Sequence, residues 1–230
     1  MGIQVDWIDQ MRPAVMQFCE ETLSTIPKHP ADTWSNIGPI IAGVWIVVRA
    51  RQRALPLQTI GYASIAAGVF SGVYHATNTY VGEVMDIAGM YAFIFACASV
   101  QLYRDKTLSS LEATLLAATL AVVGTVLAAY SDLAKTPLFA VVLIVVAYNE
   151  ITAESVKNYR YAYAALGAFA VAFTFWVLDY SRCLCDPQNH VLTGHGVWHL
   201  LCGVAFYLTY RQFATSVTPR QAADDAAPPN

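Results

Sequence analysis

Seven stretches of this chain contain no Asp, Glu, Lys or Arg: 33–48, 54–82, 87–103, 113–131, 136–149, 161–178 and 187–210. A helix that crosses a bilayer needs about 20 mostly apolar residues, with a range of roughly 17–25. Trimmed or extended to that length, the stretches predict helices near 33–50, 57–77, 84–103, 110–130, 136–154, 160–180 and 191–212. The fifth is interrupted by Glu150, and "NEITAES" reads as its interfacial end. The expected fold class is all-α: a polytopic membrane protein with a seven-transmembrane helix bundle over 33–213. Residues 1–32 precede the bundle, and 214–230 form a polar, Pro-rich tail that reads as disordered. Only 13% of the residues are charged, against about 25% in soluble domains, and bilayer burial accounts for the deficit. No internal repeat or second domain is evident.

The placement of Lys and Arg orients such a bundle. One side receives Arg49, Arg51, Arg53, Arg104, Lys106, Lys157, Arg160, Arg211 and Arg220; the other holds only Arg12, Lys28, Lys135 and Arg182. Nine against four predicts an outside amino terminus and a cytoplasmic carboxyl terminus. The start, "MGIQVDWIDQMRPAVMQF", lacks the basic-then-apolar pattern of a signal peptide. Asp6 stands where a myristoylation signal wants Ser or Thr. The net charge of −3 gives no electrostatic reason to expect nucleic acid. Cys19, Cys183 and Cys185 fall on the outer side, where an oxidising exterior permits a disulfide; the alternative for the last two is a pair of loop thiols. Cys97 and Cys202 fall within helices and read as small apolar packers.

Ionisable side chains are costly at membrane depth and usually face a bundle interior or a wet cavity. Ser71 and His75 lie four apart in "FSGVYHATN", on one face of the second helix. Asp86 falls in the first turn of the third helix, and His195 and His199 share a face at the start of the seventh. Helix 2 runs outward while helices 3 and 7 run inward, so all five groups reach a similar outer depth. Taken singly, each has a plain reading. The His pair could be hydrogen-bonded packing residues, Ser71 a small residue at a helix contact, and Asp86 a carboxylate favoured by a helix amino terminus. Together they suit a catalytic zinc site, in which three imidazoles leave one position open. Asp86 would then act as general base or orient a ligand histidine, and Ser71 would donate to an oxyanion. The chemistry is hydrolysis of an amide or ester, on a lipid that arrives from the bilayer.

This pattern resembles the CREST superfamily of seven-helix membrane hydrolases, and within it the alkaline ceramidase family. "FWVLDYSRCLCDPQNHVLTGHGVWHLLCGVAFY", residues 175–207, resembles that family's final helix-loop-helix signature, with Trp176, Asp179, Cys183, Gly194, His195, Trp198, His199 and Gly203 in place. "FCEE", 18–21, and "PADTWSNIG", 30–38, resemble its amino-terminal elements. The resemblance implies zinc-dependent cleavage of the ceramide amide to a sphingoid base and a fatty acid. It implies His75, His195 and His199 as ligands, Asp86 and Ser71 as catalytic helpers, and a Cys19–Cys183 disulfide. Eukaryotic members also bind a regulatory calcium in the amino-terminal segment. Here Glu20 and Asp32 are weak candidates for it, because Gln17, Thr22 and His29 stand where other ligand types belong. Calcium wants six to eight oxygens, so no calcium dependence is expected. The short loops and weak calcium motif favour a bacterial inner membrane over the ER or Golgi, and no obligatory protein partner is expected.

Three rivals remain at this point. A seven-helix receptor of the progestin and adipoQ type shares the five-residue constellation but generally has the opposite orientation. A proton pathway through Asp86 and the histidines would need no zinc, and a structural zinc would need a fourth protein ligand. A neighbouring N-acyl lipid could replace ceramide as substrate.

Overall fold

A computed structural model describes residues 11–131, 133–156 and 158–217. Residues 1–10, the tail beyond 217, and two of the orienting cations, Lys157 and Arg220, lie outside the described residues. The described chain is all-helical, with one isolated bridge between Pro13 and Thr79 and no strand. Short α1 spans Pro30–Ser35, followed by α2 Ile37–Ala50, α3 Leu55–Thr77, α4 Tyr80–Arg104, α5 Ser110–Tyr130, α6 Phe139–Thr152, α7 Arg160–Tyr180 and α8 Gly194–Ser216.

Local chemistry sets the boundaries. Pro56 opens α3, where its missing N–H costs nothing. Asn78, in the left-handed region at φ 49°, closes it by donating its N–H to the Tyr74 carbonyl at 2.7 Å. The Thr79 hydroxyl then accepts from Gly82 N and starts α4. This cap begins the helix four residues before the predicted 84, so Asp86 lies in its second turn rather than its first. Ser109 and Glu112 form a reciprocal capping box on α5. The predicted first helix is broken at Asn36 into α1 and α2, and the fifth begins as a π-helical turn, Ala134–Leu138, around Pro137. The last helix is shifted towards the carboxyl end because Thr193 caps it through Gly196 N.

Four helical segments are long and apolar enough to cross a membrane: Tyr80–Arg104, Ser110–Tyr130, Ala134–Thr152 and Arg160–Tyr180. Their outward faces carry exposed Leu115, Val122, Val126, Ile144, Tyr148, Val171 and Phe173. Soluble proteins rarely expose contiguous apolar surface on this scale, whereas lipid covers it at no cost. Helix α2 packs along α3, α3 along α4, α4 along α5 and α7 along α8, while α8 returns to α2. That return is tight: a Cβ on Gly203 would lie 2.5 Å from the Gly38 carbonyl carbon. Small residues permit such backbone approach between membrane helices.

The two ends of the bundle differ. At one end meet the carboxyl end of α3, the start of α4 and the start of α8, under the segment 11–29. At the other end, buried Glu150 accepts from Arg104 Nη1 at 2.6 Å and from Gln212 Nε2 at 3.2 Å. Gln101 Nε2 donates to the Val146 carbonyl at 2.8 Å, and Ala162 N donates to Gln212 Oε1 at 3.2 Å. Glu150 therefore does not end α6 at an interface; it pairs inside the bundle. Between the two ends lies an almost wholly apolar cavity of about 340 Å³, lined by α4, α6, α7 and α8.

Candidate metal centre

His75, His195 and His199 are buried and present ring nitrogens that all lie within 4.8 Å of one another. The Nε2 atoms of His75 and His195 are 3.2 Å apart. Nitrogens on a tetrahedral zinc, at Zn–N of about 2.0–2.1 Å, are spaced by roughly 3.3 Å, so the donor set fits such an ion. The far nitrogens of His75 and His199 face the first helical segment. His199 Nδ1 lies 2.9 Å from Ser35 Oγ and 3.3 Å from Asn36 Nδ2. His75 Nδ1 lies 3.8 Å from Asp32 Oδ2, and neither atom has a hydrogen-bond partner among the described residues. A ligand histidine normally holds its second N–H against a carboxylate or carbonyl; at 3.8 Å this pair is too long for a hydrogen bond, but Asp32 stands on the side where that partner belongs. His195 is held by its face: the Phe18 ring stacks on it at 3.6 Å between centroids.

The backbone brings these groups together through an amino-terminal strap. Tyr80 N donates to Arg12 O, Ala14 N to Asn78 O and His29 N to His75 O. The Tyr74 hydroxyl donates to Met16 O at 2.6 Å. Buried Asp179 ties the strap to α8, accepting Cys19 N on one oxygen and His195 N on the other at 2.9 and 3.0 Å. On α4, Glu83 accepts from Lys135 Nζ and from Val15 N. His29 beside the site is pushed below its ordinary value, burial first among the causes.

Ser71 Oγ lies 3.4 Å from His199 Nε2, and the half-buried Asp86 carboxylate lies beside Ser71. The three histidines, Ser71 and Asp86 thus form one contiguous cluster. His190 lies apart from it, its Nδ1 2.9 Å from Glu20 Oε1. Glu20 and Asp32 are both engaged elsewhere than in an open acidic site. Glu20 accepts Ala31 N and Asp32 N at the start of α1, and Asp32 accepts the Thr193 hydroxyl. Asp32, Ser35, Asn36, Phe18 and Asp179 were not read from the sequence as neighbours of the histidines. The signal available for two of these segments was the resemblance of "FCEE" and "PADTWSNIG" to the family's amino-terminal elements.

The expected Cys19–Cys183 pairing is corrected: Cys19 is bonded to Cys185, with Cα atoms 5.5 Å apart, and Cys183 is free and exposed. Arg182 adopts φ 58° after α7, and Leu184 N donates back to Leu178 O. This reversal turns Cys183 outward and delivers Cys185 to the strap, where Glu21 N also meets Pro187 O.

Comparison with known families matches the Ceramidase family model over residues 12–226. No curated protein matches the chain. The matched region contains the cluster, the strap and every helix described above.

Proposed function

Because the chain belongs to the ceramidase family, we propose that it is a zinc-dependent membrane amidohydrolase that cleaves the N-acyl amide of ceramide. The observation that carries this reading is the buried three-histidine set with Ser71 and Asp86 against it. His75, His195 and His199 would hold the ion. A bound zinc would supply Lewis-acid polarisation and a water acidified to a pKa near 7.

The chain's own groups divide the remaining work. The Asp86 carboxylate accepts a proton from the attacking water and delivers it to the leaving nitrogen as the carbon–nitrogen bond breaks. Ser71 Oγ donates a hydrogen bond to the oxygen that gains charge as the carbonyl carbon becomes tetrahedral. Asp32, Ser35 and Asn36 fix the ring planes of His75 and His199. The strap, with Phe18 over His195, keeps bulk water off one side. The acyl amide enters from the bilayer by way of the apolar cavity.

The same reading takes seven helices as spans over 33–213, with 1–32 outside and 214–230 in the cytoplasm. The nine-to-four charge balance supports it, as does a disulfide at the strap end of the bundle. The family match favours the hydrolase over the receptor.

The test is metal content together with fatty-acid release from ceramide by purified protein. His199→Ala is expected to lose zinc and turnover together, and full activity in that variant would remove the metal from the reaction. Asp86→Asn is expected to keep most of its zinc while kcat falls by about 10²–10⁴-fold; an unchanged rate would take Asp86 out of the chemistry.

A further inference from the structure

The cavity begins within about one helical turn of the histidine cluster and extends to the opposite end of the bundle. Met90 on α4, four residues on from Asp86, and Trp198 and Cys202 on α8, to either side of His199 in sequence, line its upper end. Its wall is then apolar apart from Thr209, whose hydroxyl donates to Ala205 O, until Gln101, Glu150 and Gln212 at its far end. Gln101 is fifteen residues on from Asp86, and Gln212 is thirteen on from His199. At 1.5 Å per residue both paths measure about 20 Å.

That far end does not yield. Both Glu150 oxygens are engaged, one by Arg104 and the other by Gln212. Gln101 binds the α6 backbone at Val146, and Gln212 binds the α7 backbone at Ala162. Pushing any one aside would leave a buried charge or amide without its partner, which costs more than the group's own contact is worth. The cluster is also fixed to four different helices, so it cannot swing as a unit.

We propose that this polar cluster is the floor of the substrate's chain site and sets the longest alkyl chain the enzyme accepts. The proposal rests on the hydrolase reading of the histidine cluster. An extended alkyl chain advances about 1.25 Å per carbon, from a bond of ~1.5 Å and an angle of ~111°. A path of about 20 Å therefore accommodates about sixteen carbons. The length dependence has a particular form. A lipid tail already lies in hydrocarbon, so each methylene gains little by moving into an apolar cavity. The rate is accordingly flat with chain length until the floor and falls steeply beyond it.

The experiment measures kcat/KM on two ceramide series in mixed micelles. In one the acyl chain varies over a fixed sphingoid base; in the other the base varies under a fixed acyl chain. The unmodified protein should show a plateau and then a drop of at least about tenfold past roughly sixteen carbons, in one series only. That series identifies which chain occupies the cavity. Gln101→Ala shortens the floor by about three carbons' length and should move the drop upward by as much. Ala165→Leu fills the cavity about one turn above Ala162 and should move it downward by about three carbons. The second variant leaves every member of the floor intact, so it decides the question if the first does not fold. A drop that Ala165→Leu leaves in place, or no drop in either series, would overturn the floor while leaving the hydrolase standing. Absence of any ceramide turnover by the unmodified protein would overturn both.

Discussion

Each of the three histidines is held in its own way. His199 is gripped by a hydroxyl and an amide, His75 faces a carboxylate 3.8 Å away, and His195 Nδ1 has neither among the described residues. Its orientation rests on Asp179 at its backbone N–H and on the Phe18 ring stacked over its face. Phe18→Ala should therefore lower zinc affinity by about 10–100-fold, the range seen when an outer partner of a ligand is removed. Phe18→Tyr, which keeps the ring, should not. Chelator competition reads this directly, and equal affinity in the two variants would show that the ring does not orient His195. The histidines themselves were legible because four-residue spacing and helix direction are written in the chain. Their holders were not. Asp32, Ser35 and Asn36 lie at or before the break at Asn36; Pro39, which cannot donate to the Ser35 carbonyl, marks that break in the sequence, but nothing local says which side chains the segment meets.

At the scale of elements, the ends of helices carried the least readable information and the most consequence. The boundaries 110–130 and 160–180 were recoverable from charge-free runs. The π-helical turn at Ala134–Leu138 and the reversal at Arg182 were not, because each depends on tertiary contacts that a local pattern does not contain. The second of these decided the disulfide. Cys19→Ser and Cys185→Ser should each lower the thermal midpoint, with a loss of about 2–5 kcal/mol for a bridge that closes a long loop. Cys183→Ser should leave the midpoint where it is. A midpoint that falls for Cys183→Ser and holds for Cys185→Ser would reverse the pairing.

For the whole molecule, the balance of Lys and Arg predicts which face meets the cytoplasm. Exposed Cys183 sits at the strap end, so a membrane-impermeant maleimide should label it in intact cells. A cysteine introduced at Arg220 should react only after permeabilisation. The reverse pattern would invert the proposed topology and place the histidine cluster near the cytoplasm. Both readouts are independent of catalysis, so orientation and chemistry can fail separately.

The contact between Gly38 and Gly203 has a consequence for how the protein is made. Helix α2 is synthesised early, and α8, which it meets at this contact, emerges last, after more than a hundred intervening residues. Until then the groove around Gly38 has only lipid to fill it, and His75 waits without the two nitrogens that complete its set. Cys185 precedes α8 in the chain, so the bond to Cys19 can anchor the outer loop before the last helix arrives. Closure of the ring of helices and assembly of the three-histidine set are then the same event.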